Sequence, residues 1–359
     1  MIRIPAAALA LALLIAAPIL ASAADPAAVP APAFTEATRA ALISGAEKAI
    51  GDYVFAAKVA PLSAILEQRR AAYLQIADRA AFVEAVNADL YAVAHDKHLR
   101  LKYSVLAEPM FGERPTAASM AHLRRSEELI NFGYAAAAVL LGNVGYIRLD
   151  EFGGMPESQP AIDAAMALVK HTDALIFDVR ANHGGDPDSL DYLMGYFYAK
   201  PVELTSLLVT QDGKTQLYKQ FSSAKVSGPR YLGKPLYVLT SDHTFSCAEQ
   251  FAYDMKSLHR ATLIGMVTGG GANPGDFVHL DDHFAIFIPT GRALNPYTKT
   301  NWEGVGVAPD VPTTAAAALL AAYTRALGAS QNSFDEAALA RAQALKNPAS
   351  ALAASLPAP

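Results

Sequence analysis

Pro235-Leu236-Tyr237-Val238-Leu239-Thr240-Ser241, Asp242-His243-Thr244-Phe245, then Ser246-Cys247-Ala248-Glu249-Gln250-Phe251-Ala252-Tyr253-Asp254-Met255 is the stretch that decides the fold. The first seven residues read as a buried strand. The next four read as a turn. From Ser246 the apolar positions take a helical spacing. A strand, a tight turn, a serine and a helix put the Ser246 hydroxyl at a helix N-terminus. Free N–H groups and the positive end of the helix dipole favour a developing negative charge there. Nucleophile elbows share this geometry, although the G-x-S-x-G pattern is absent. Ser-x-x-Glu before an apolar run is also a capping box, in which Ser246 and Glu249 merely satisfy helix amides. From these residues alone both readings stand.

Outward from this unit the chain keeps a strand–helix rhythm. Val144–Leu149 and Ala174–Arg180 read as strands. Pro160–Val169 and Leu190–Tyr198 read as helices, and Val202–Val209 follows. Ala261–Val267, Val278–Leu280 and Phe284–Ile288 read as further strands. Such alternation predicts an α/β layer structure with mostly parallel, buried strands. Thr35 to about Ala94 has helical periodicity throughout, with at least three helices forming a small bundle. Leu101–Leu106 alternates like a strand, and Ala117–Ile130 fits a helix. Beyond Pro312 an Ala-rich helix runs to about Leu327, and Phe334–Leu345 suggests one more.

The chain has 359 residues, enough for one large or two ordinary domains. Arg3, the apolar run Ala6–Leu20 and the small residues Ala21-Ser22-Ala23 have the form of a secretory signal, residues 1–23. The run is too short for a membrane span, and no cysteine adjoins the cleavage site to take a lipid, so no membrane anchor is expected after cleavage. A periplasmic or secreted location is the expectation. The formal net charge is −5, and losing Arg3 leaves about −6. With no basic cluster, nucleic acid is excluded as a partner. Cys247 is the sole cysteine, so stability rests on the core rather than on disulfides. Among small, apolar neighbours it reads as a packed thiol rather than a nucleophile. The expected organisation is a lead-in at 24–34, a helical domain at 35–97, an α/β domain at 98–328 and a helical tail at 329–359.

Four further blocks carry chemistry. Asp178-Val179-Arg180-Ala181-Asn182-His183-Gly184-Gly185-Asp186 runs from a buried strand into a glycine pair, where backbone N–H groups can turn toward a ligand. Thr268-Gly269-Gly270-Gly271-Ala272-Asn273-Pro274-Gly275 follows a strand and lacks the lysine of a phosphate-binding loop. Asn301-Trp302-Glu303-Gly304-Val305-Gly306-Val307 sets the only tryptophan beside an acid among glycines. His95-Asp96-Lys97-His98-Leu99 lies where the helical part meets the α/β part.

Together with the serine unit, these blocks resemble one family. They are similar to the tail-specific, or C-terminal-processing, serine proteases, in the branch that includes tricorn protease and the interphotoreceptor retinoid-binding protein. Thr244–Glu249, Arg260–Gly265, Gly269–Pro274, Ile288–Arg292 and Asn301–Val307 fall in the family's order. The resemblance covers about residues 90–312. It implies a crotonase-like (ClpP-like) ββα core behind the helical bundle, and a serine peptidase acting on peptides or unfolded proteins by acyl transfer without a cofactor. It implies Ser246 as nucleophile, His98 as base and Glu303 as the acid that orients the base network. The amides of Cys247 and of Gly184 or Gly185 would form the oxyanion hole, as two convergent backbone donors can.

Two departures shape the expectation. The serine–lysine branch carries its base in the loop that here reads Thr268–Pro274, and no lysine stands there. Lys256 lies ten residues along the helix from Ser246, about 15 Å away. Lys299 ranks behind histidine, which is the expected base. About 40 residues separate Leu101 from Asn143, too few for the peptide-capturing PDZ insert of many processing proteases. His183 and His243 rank behind His98 as base, and His95 is a further rival. Glu303 could instead only brace its turn. No histidine–acid spacing such as H-E-x-x-H indicates a metal. A histidine base predicts activity rising near pH 6.5. The other function the resemblance allows is a non-catalytic binder of a retinoid or fatty acid. A structural or assembly module has only the helical N-terminus in its favour. Oligomeric state stays open.

Overall fold

The structure is a computed structural model that describes residues 33–104, 117–211, 214–329, 340 and 343–355. The expected signal and most of the lead-in lie outside these residues, as does most of the suggested helix Phe334–Leu345. In chain order the elements are α1 (Glu36–Ala49), α2 (Ala56–Leu74), α3 (Arg79–Ala94), β1 (Arg100–Tyr103), α4 (Ala117–Leu129), β2 (Tyr134–Leu140), β3 (Val144–Leu149), α5 (Gln159–Val169), β4 (Ala174–Asp178) and α6 (Pro187–Met194). There follow β5 (Ser206–Gln211), β6 (Lys214–Tyr218), β7 (Leu236–Thr240), α7 (Cys247–Ser257), β8 (Thr262–Gly265), β9 (Gly275–Asp281) and β10 (Phe284–Pro289). The last are β11 (Gly291–Leu294), β12 (Val311–Pro312), α8 (Ala315–Ala329) and α9 (Pro348–Ser355).

The helical N-terminus is built from local signals. Thr35 caps α1 by accepting the Thr38 N–H, and Asp78 caps α3 by accepting the Ala81 N–H. His95 ends α3 in the left-handed conformation, φ 52°, a position that Gly or Asn more often fills. The chain then leaves extended, and period two takes over. Leu99 and Leu101 bury against Phe82, Leu90 and Leu66 of the helices. His98, Arg100 and Lys102 line the opposite, cleft side. Phe284, Ile286 and Ile288 of β10 belong to the same helical core. The sheet β1–β10–β9 is antiparallel, with Arg100 opposite Phe287 and Leu101 opposite Ile286. Strands from the far end of the chain therefore complete the N-terminal lobe.

The second lobe is a six-stranded sheet ordered β12-β8-β7-β4-β3-β2, parallel except for the β2–β3 pair. The buried β4 and β7 pair Phe177 with Val238 and Asp178 with Leu239. One face of this sheet packs on α5, α6 and α7, and the other on α8 and α9. From α7, Ala248, Phe251, Ala252 and Met255 all point into the first core, the i, i+3, i+4, i+7 face of a helix. Burying Phe251 alone stabilises by about 1.5–3 kcal/mol. A third sheet, β11-β5-β6, is antiparallel.

Two element boundaries differ from the sequence reading for local reasons. The helix expected from Leu190 begins at Pro187, because the Asp186 carboxylate caps it through the Asp188 N–H, 2.8 Å, and Pro187 takes the first turn. The strand expected to reach Arg180 ends at Asp178. There the carboxylate grips the Arg180 guanidinium at 2.6 Å and the Tyr146 hydroxyl at 2.8 Å.

Candidate active site

Ser246 occupies φ 56°, ψ −122°, a conformation that costs a non-glycine residue of order 1–3 kcal/mol. The surrounding turn holds it there. The Phe245 N–H donates to the Asn182 carbonyl, 3.0 Å, and Thr244 Oγ1 donates to the Val179 carbonyl, 2.9 Å. Asn182 also donates to the Leu149 carbonyl, tying β3, the glycine pair and the serine turn together. The Ser246 hydroxyl belongs to a capping box with Glu249, whose carboxylate accepts the Ser246 N–H. It lies 3.0 Å from His98 Nε2.

Glu249 is fully buried and accepts four donors. Oε1 takes Thr268 Oγ1 at 2.5 Å and the Gly270 N–H at 2.6 Å. Oε2 takes the Gly271 N–H at 2.8 Å and the Ser246 N–H at 3.0 Å. One carboxylate thus ties the serine turn to the glycine loop.

His98 arrives from the other lobe and is 6% exposed. Its ring lies 4.6 Å from the Phe245 ring and 5.4 Å from that of Phe287. Asp96 Oδ1 accepts the His98 backbone N–H at 2.9 Å, while Oδ2 accepts Asn273 Nδ2 at 2.9 Å and the Tyr53 hydroxyl at 3.1 Å. Glu303 Oε2 accepts the Ala272 N–H at 2.6 Å. At this site three buried atoms of the described residues have no hydrogen-bond partner: His98 Nδ1, Glu303 Oε1 and Asn273 Oδ1. The ligating atoms of Asp96, His98 and Glu303 lie within 4.8 Å of one another. These three could hold a metal, and they equally form a base flanked by two acids.

Burial pushes the His98 imidazole down to about 4, opposed by Asp96 and reinforced by Arg100. Burial pushes the Glu303 carboxyl up to about 7, with Asp96 adding to the rise. The ring is therefore neutral at neutral pH, as a proton acceptor must be. The titration expected near 6.5 for an unperturbed histidine does not describe this one.

The glycine pair meets the serine closely. Gly184 has φ +114°, and a Cβ there would stand 2.8 Å from the Ser246 Cβ and 3.2 Å from the Cys247 nitrogen. The Gly184 N–H is given to Asn182 Oδ1 at 2.8 Å. Of the two glycine amides named from the sequence, Gly184 is thus a spacer. Gly185 lines the same recess as Ser246 and Cys247. The Cys247 thiol is buried, and burial raises it well above its ordinary value, so it stays a packed thiol.

Among the described residues, His98 is the imidazole in hydrogen-bond contact with the Ser246 hydroxyl. His95 caps α3 and is exposed. His183 and His243 are exposed, with rings 6.4 Å apart. Lys256 pairs with Asp310 at 3.0 Å. Lys299 is exposed. The structure adds Glu249, Asp96, Asn273 and Tyr53 as residues that hold the site. Asp96 and Asn273 stand in the blocks quoted above, but their pairing spans 177 positions, and no local pattern announces it.

Ser246 opens onto a cleft of about 1110 Å³ between the lobes, lined by Arg100, His183, Gly185, Phe245, Phe277 and Phe287 among others. A recess of about 80 Å³ beside it is bounded by Leu207, Cys247, Gln250, Ala272, Ala293 and Trp302.

Residues 143–313 match the model of peptidase family S41. That segment, a little under half of the chain, includes Ser246 and Glu303 and is similar to that family. A carboxy-terminal-processing protease of Bartonella bacilliformis is 28% identical over 175 residues, which are 47% of this chain and 38% of that protein. The chloroplastic carboxyl-terminal-processing peptidase 1 of Arabidopsis thaliana is 26% identical over 174 residues, 47% of this chain and 33% of that protein. The matched segment thus spans little more than a third of these curated relatives. The crystal structure of a candidate peptidase from Parabacteroides merdae shares the fold, with a TM-score of 0.51 and 20% identity over 77% of this chain and 90% of that one. The architecture is α/β with a crotonase-like core and N-terminal helices, as the sequence resemblance implied.

Proposed function

We propose that this chain is an active serine peptidase that cleaves peptides or unfolded proteins by acyl transfer, with Ser246 as nucleophile and His98 as base. The observation that carries the reading is the 3.0 Å approach of His98 Nε2 to Ser246 Oγ. A serine that only caps a helix has no need of that contact. In the acylation step Oγ gives its proton to Nε2 and attacks the scissile carbonyl. The carbonyl oxygen becomes an oxyanion, received by the Cys247 and Gly185 amides; each such donor is worth about 3 kcal/mol. His98 then returns the proton to the leaving amine, and water releases the acyl group by the same steps. For Nε2 to accept, the neutral ring carries its proton on Nδ1. That proton faces the Asp96 and Glu303 carboxylates, and Glu303 Oε1 has no other partner. Glu303 orients the ring and stabilises the imidazolium, a contact that tightens on substrate binding. Export to the periplasm or the medium accompanies this reading, from the leader pattern at residues 1–23.

Treatment with a fluorophosphonate probe, followed by peptide mapping, tests the assignment. Labelling of Ser246 that vanishes in Ser246→Ala is the expected result. Absence of labelling, with a melting temperature that climbs with added retinol or fatty acid, would replace the peptidase by a binding protein on the same fold.

A further inference from the structure

The cleft holds a cation that the catalytic reading leaves unused. Arg100 stands two residues beyond His98 on the same side of an extended segment, so its side chain enters the cleft that the base enters. Its guanidinium lies over the Phe245 ring, 6.0 Å from the centroid, and the His98 ring packs on that same phenyl at 4.6 Å. Among the described residues the guanidinium has no hydrogen bond and no ion pair. This sets it apart from the other arginines near the core, Arg180 and Arg260, whose guanidinium groups are committed to a carboxylate or to carbonyls. An arginine fork fits a carboxylate with two parallel hydrogen bonds.

The rest of the cleft is unfavourable to an anion. Glu84, Asp150, Glu151 and Asp276 line it together with Lys102. Asp150 is paired with Arg148 at 2.8 Å, and Lys102 acts on Glu151. An incoming carboxylate therefore finds one place, beside Arg100. Phe245, Phe277 and Phe287 flank that place with apolar surface. Because one phenyl ring touches both His98 and Arg100, the carboxylate falls within a residue or two of the scissile bond, at about 3.3–3.6 Å per extended residue.

We propose that Arg100 is a specificity residue that selects substrates carrying a carboxylate one or two residues from the bond cleaved. This rests on the peptidase reading of Ser246. The carboxylate has two sources, an Asp or Glu side chain and the free end of the substrate chain. The cleft geometry recognises their shared chemistry.

The test is a mass-spectrometric cleavage profile on a denatured-proteome peptide library, run as it is and after chemical amidation of all carboxyl groups. The expected profile shows Asp, Glu or the chain end at one fixed distance from the cut, and amidation lowers cleavage at least tenfold. Synthetic pairs built on the best sequence, amidated either on the acidic side chain or on the C-terminus alone, tell which source counts. Arg100→Ala is expected to cut the native library only as well as the amidated one, whereas Arg100→Lys keeps part of the preference. Equal cleavage of both libraries by the wild type, a preference that survives Arg100→Ala, or no cleavage at all would each overturn the proposal. Fluorophosphonate labelling of wild-type Ser246, run alongside, separates the two failures. With labelling intact, only the role of Arg100 falls. Without it, the peptidase reading falls as well.

Discussion

Glu249 accepts the backbone N–H of Ser246 at 3.0 Å while Ser246 is held at φ 56°. The capping motif and the candidate nucleophile are thus one device. The acid satisfies a helix-end amide and, through the Gly270 and Gly271 amides, fixes the loop on which Asn273 and Ala272 meet Asp96 and Glu303.

Glu249→Gln replaces an acceptor oxygen by a donor facing N–H groups. It is expected to destabilise by about 3 kcal/mol, since one unsatisfied buried group costs about 1–3 kcal/mol and at least two bonds are lost. At a temperature where the variant remains folded, kcat should fall more than KM changes. Thermal melts and steady-state kinetics with a casein-derived peptide check both. Unaltered kcat in a destabilised variant would leave Glu249 a cap and nothing more.

Ser246→Ala and His98→Ala are each expected to lower kcat by about 10⁴ or more, and the double variant by little beyond the worse single one, because the pair acts as a unit. Additive losses would show that the two side chains serve separate steps.

Activity should rise with pH through a limb near 7 that belongs to Glu303, not His98. The neutral ring exists from about pH 4 upward, whereas Glu303 ionises only near 7. Its charge is what stabilises the imidazolium. Glu303→Gln should therefore lower the plateau of kcat/KM and move the acid limb toward pH 4. A limb that stays at its wild-type position in the variant would remove Glu303 from the base network.

Gly271→Ala places a methyl 2.2 Å from the Phe245 ring and 2.8 Å from His98 Cε1. The expected outcome is loss of fluorophosphonate labelling, because the imidazole is displaced from the hydroxyl. Gly328→Ala in α8 meets open space and is expected to raise stability by up to about 1 kcal/mol with labelling intact. Equal labelling in the two variants would contradict the close packing at the loop.

Asp191 gives a stability prediction. Burial and the neighbouring Asp188, Asp254 and Asp186 push its carboxyl up to about 8. Its unfolded value is near 3.9, so the folded state binds the extra proton between those limits. Stability from this group is full below about pH 4 and is lost as pH rises to about 8. Asp191→Asn should flatten the fall in melting temperature between pH 5 and 8.5. The same slope in both proteins would show the carboxylate to be well solvated.

Much of this was legible in the chain itself. The apolar runs 236–240 and 174–178 announce buried parallel strands, and the spacing of Ala248, Phe251, Ala252 and Met255 announces α7. Ser246 and His98, 148 positions apart, could be joined only by family resemblance, since periodicity fixes faces within an element and not which elements meet. The same limit hid the bond from Asn273 to Asp96. The choice between Gly184 and Gly185 needed coordinates, because it turns on one side-chain acceptor, Asn182 Oδ1.

Leu99 and Leu101 anchor the strand of His98 in the helical core, whereas Ser246 is borne by the sheet core. In the proposed mechanism, proton transfer therefore spans a joint between two separately built bodies. A tilt of one against the other by an ångström uncouples the reaction without unfolding either, so mutations that loosen the joint should surface as slow turnover in a protein of ordinary thermal stability.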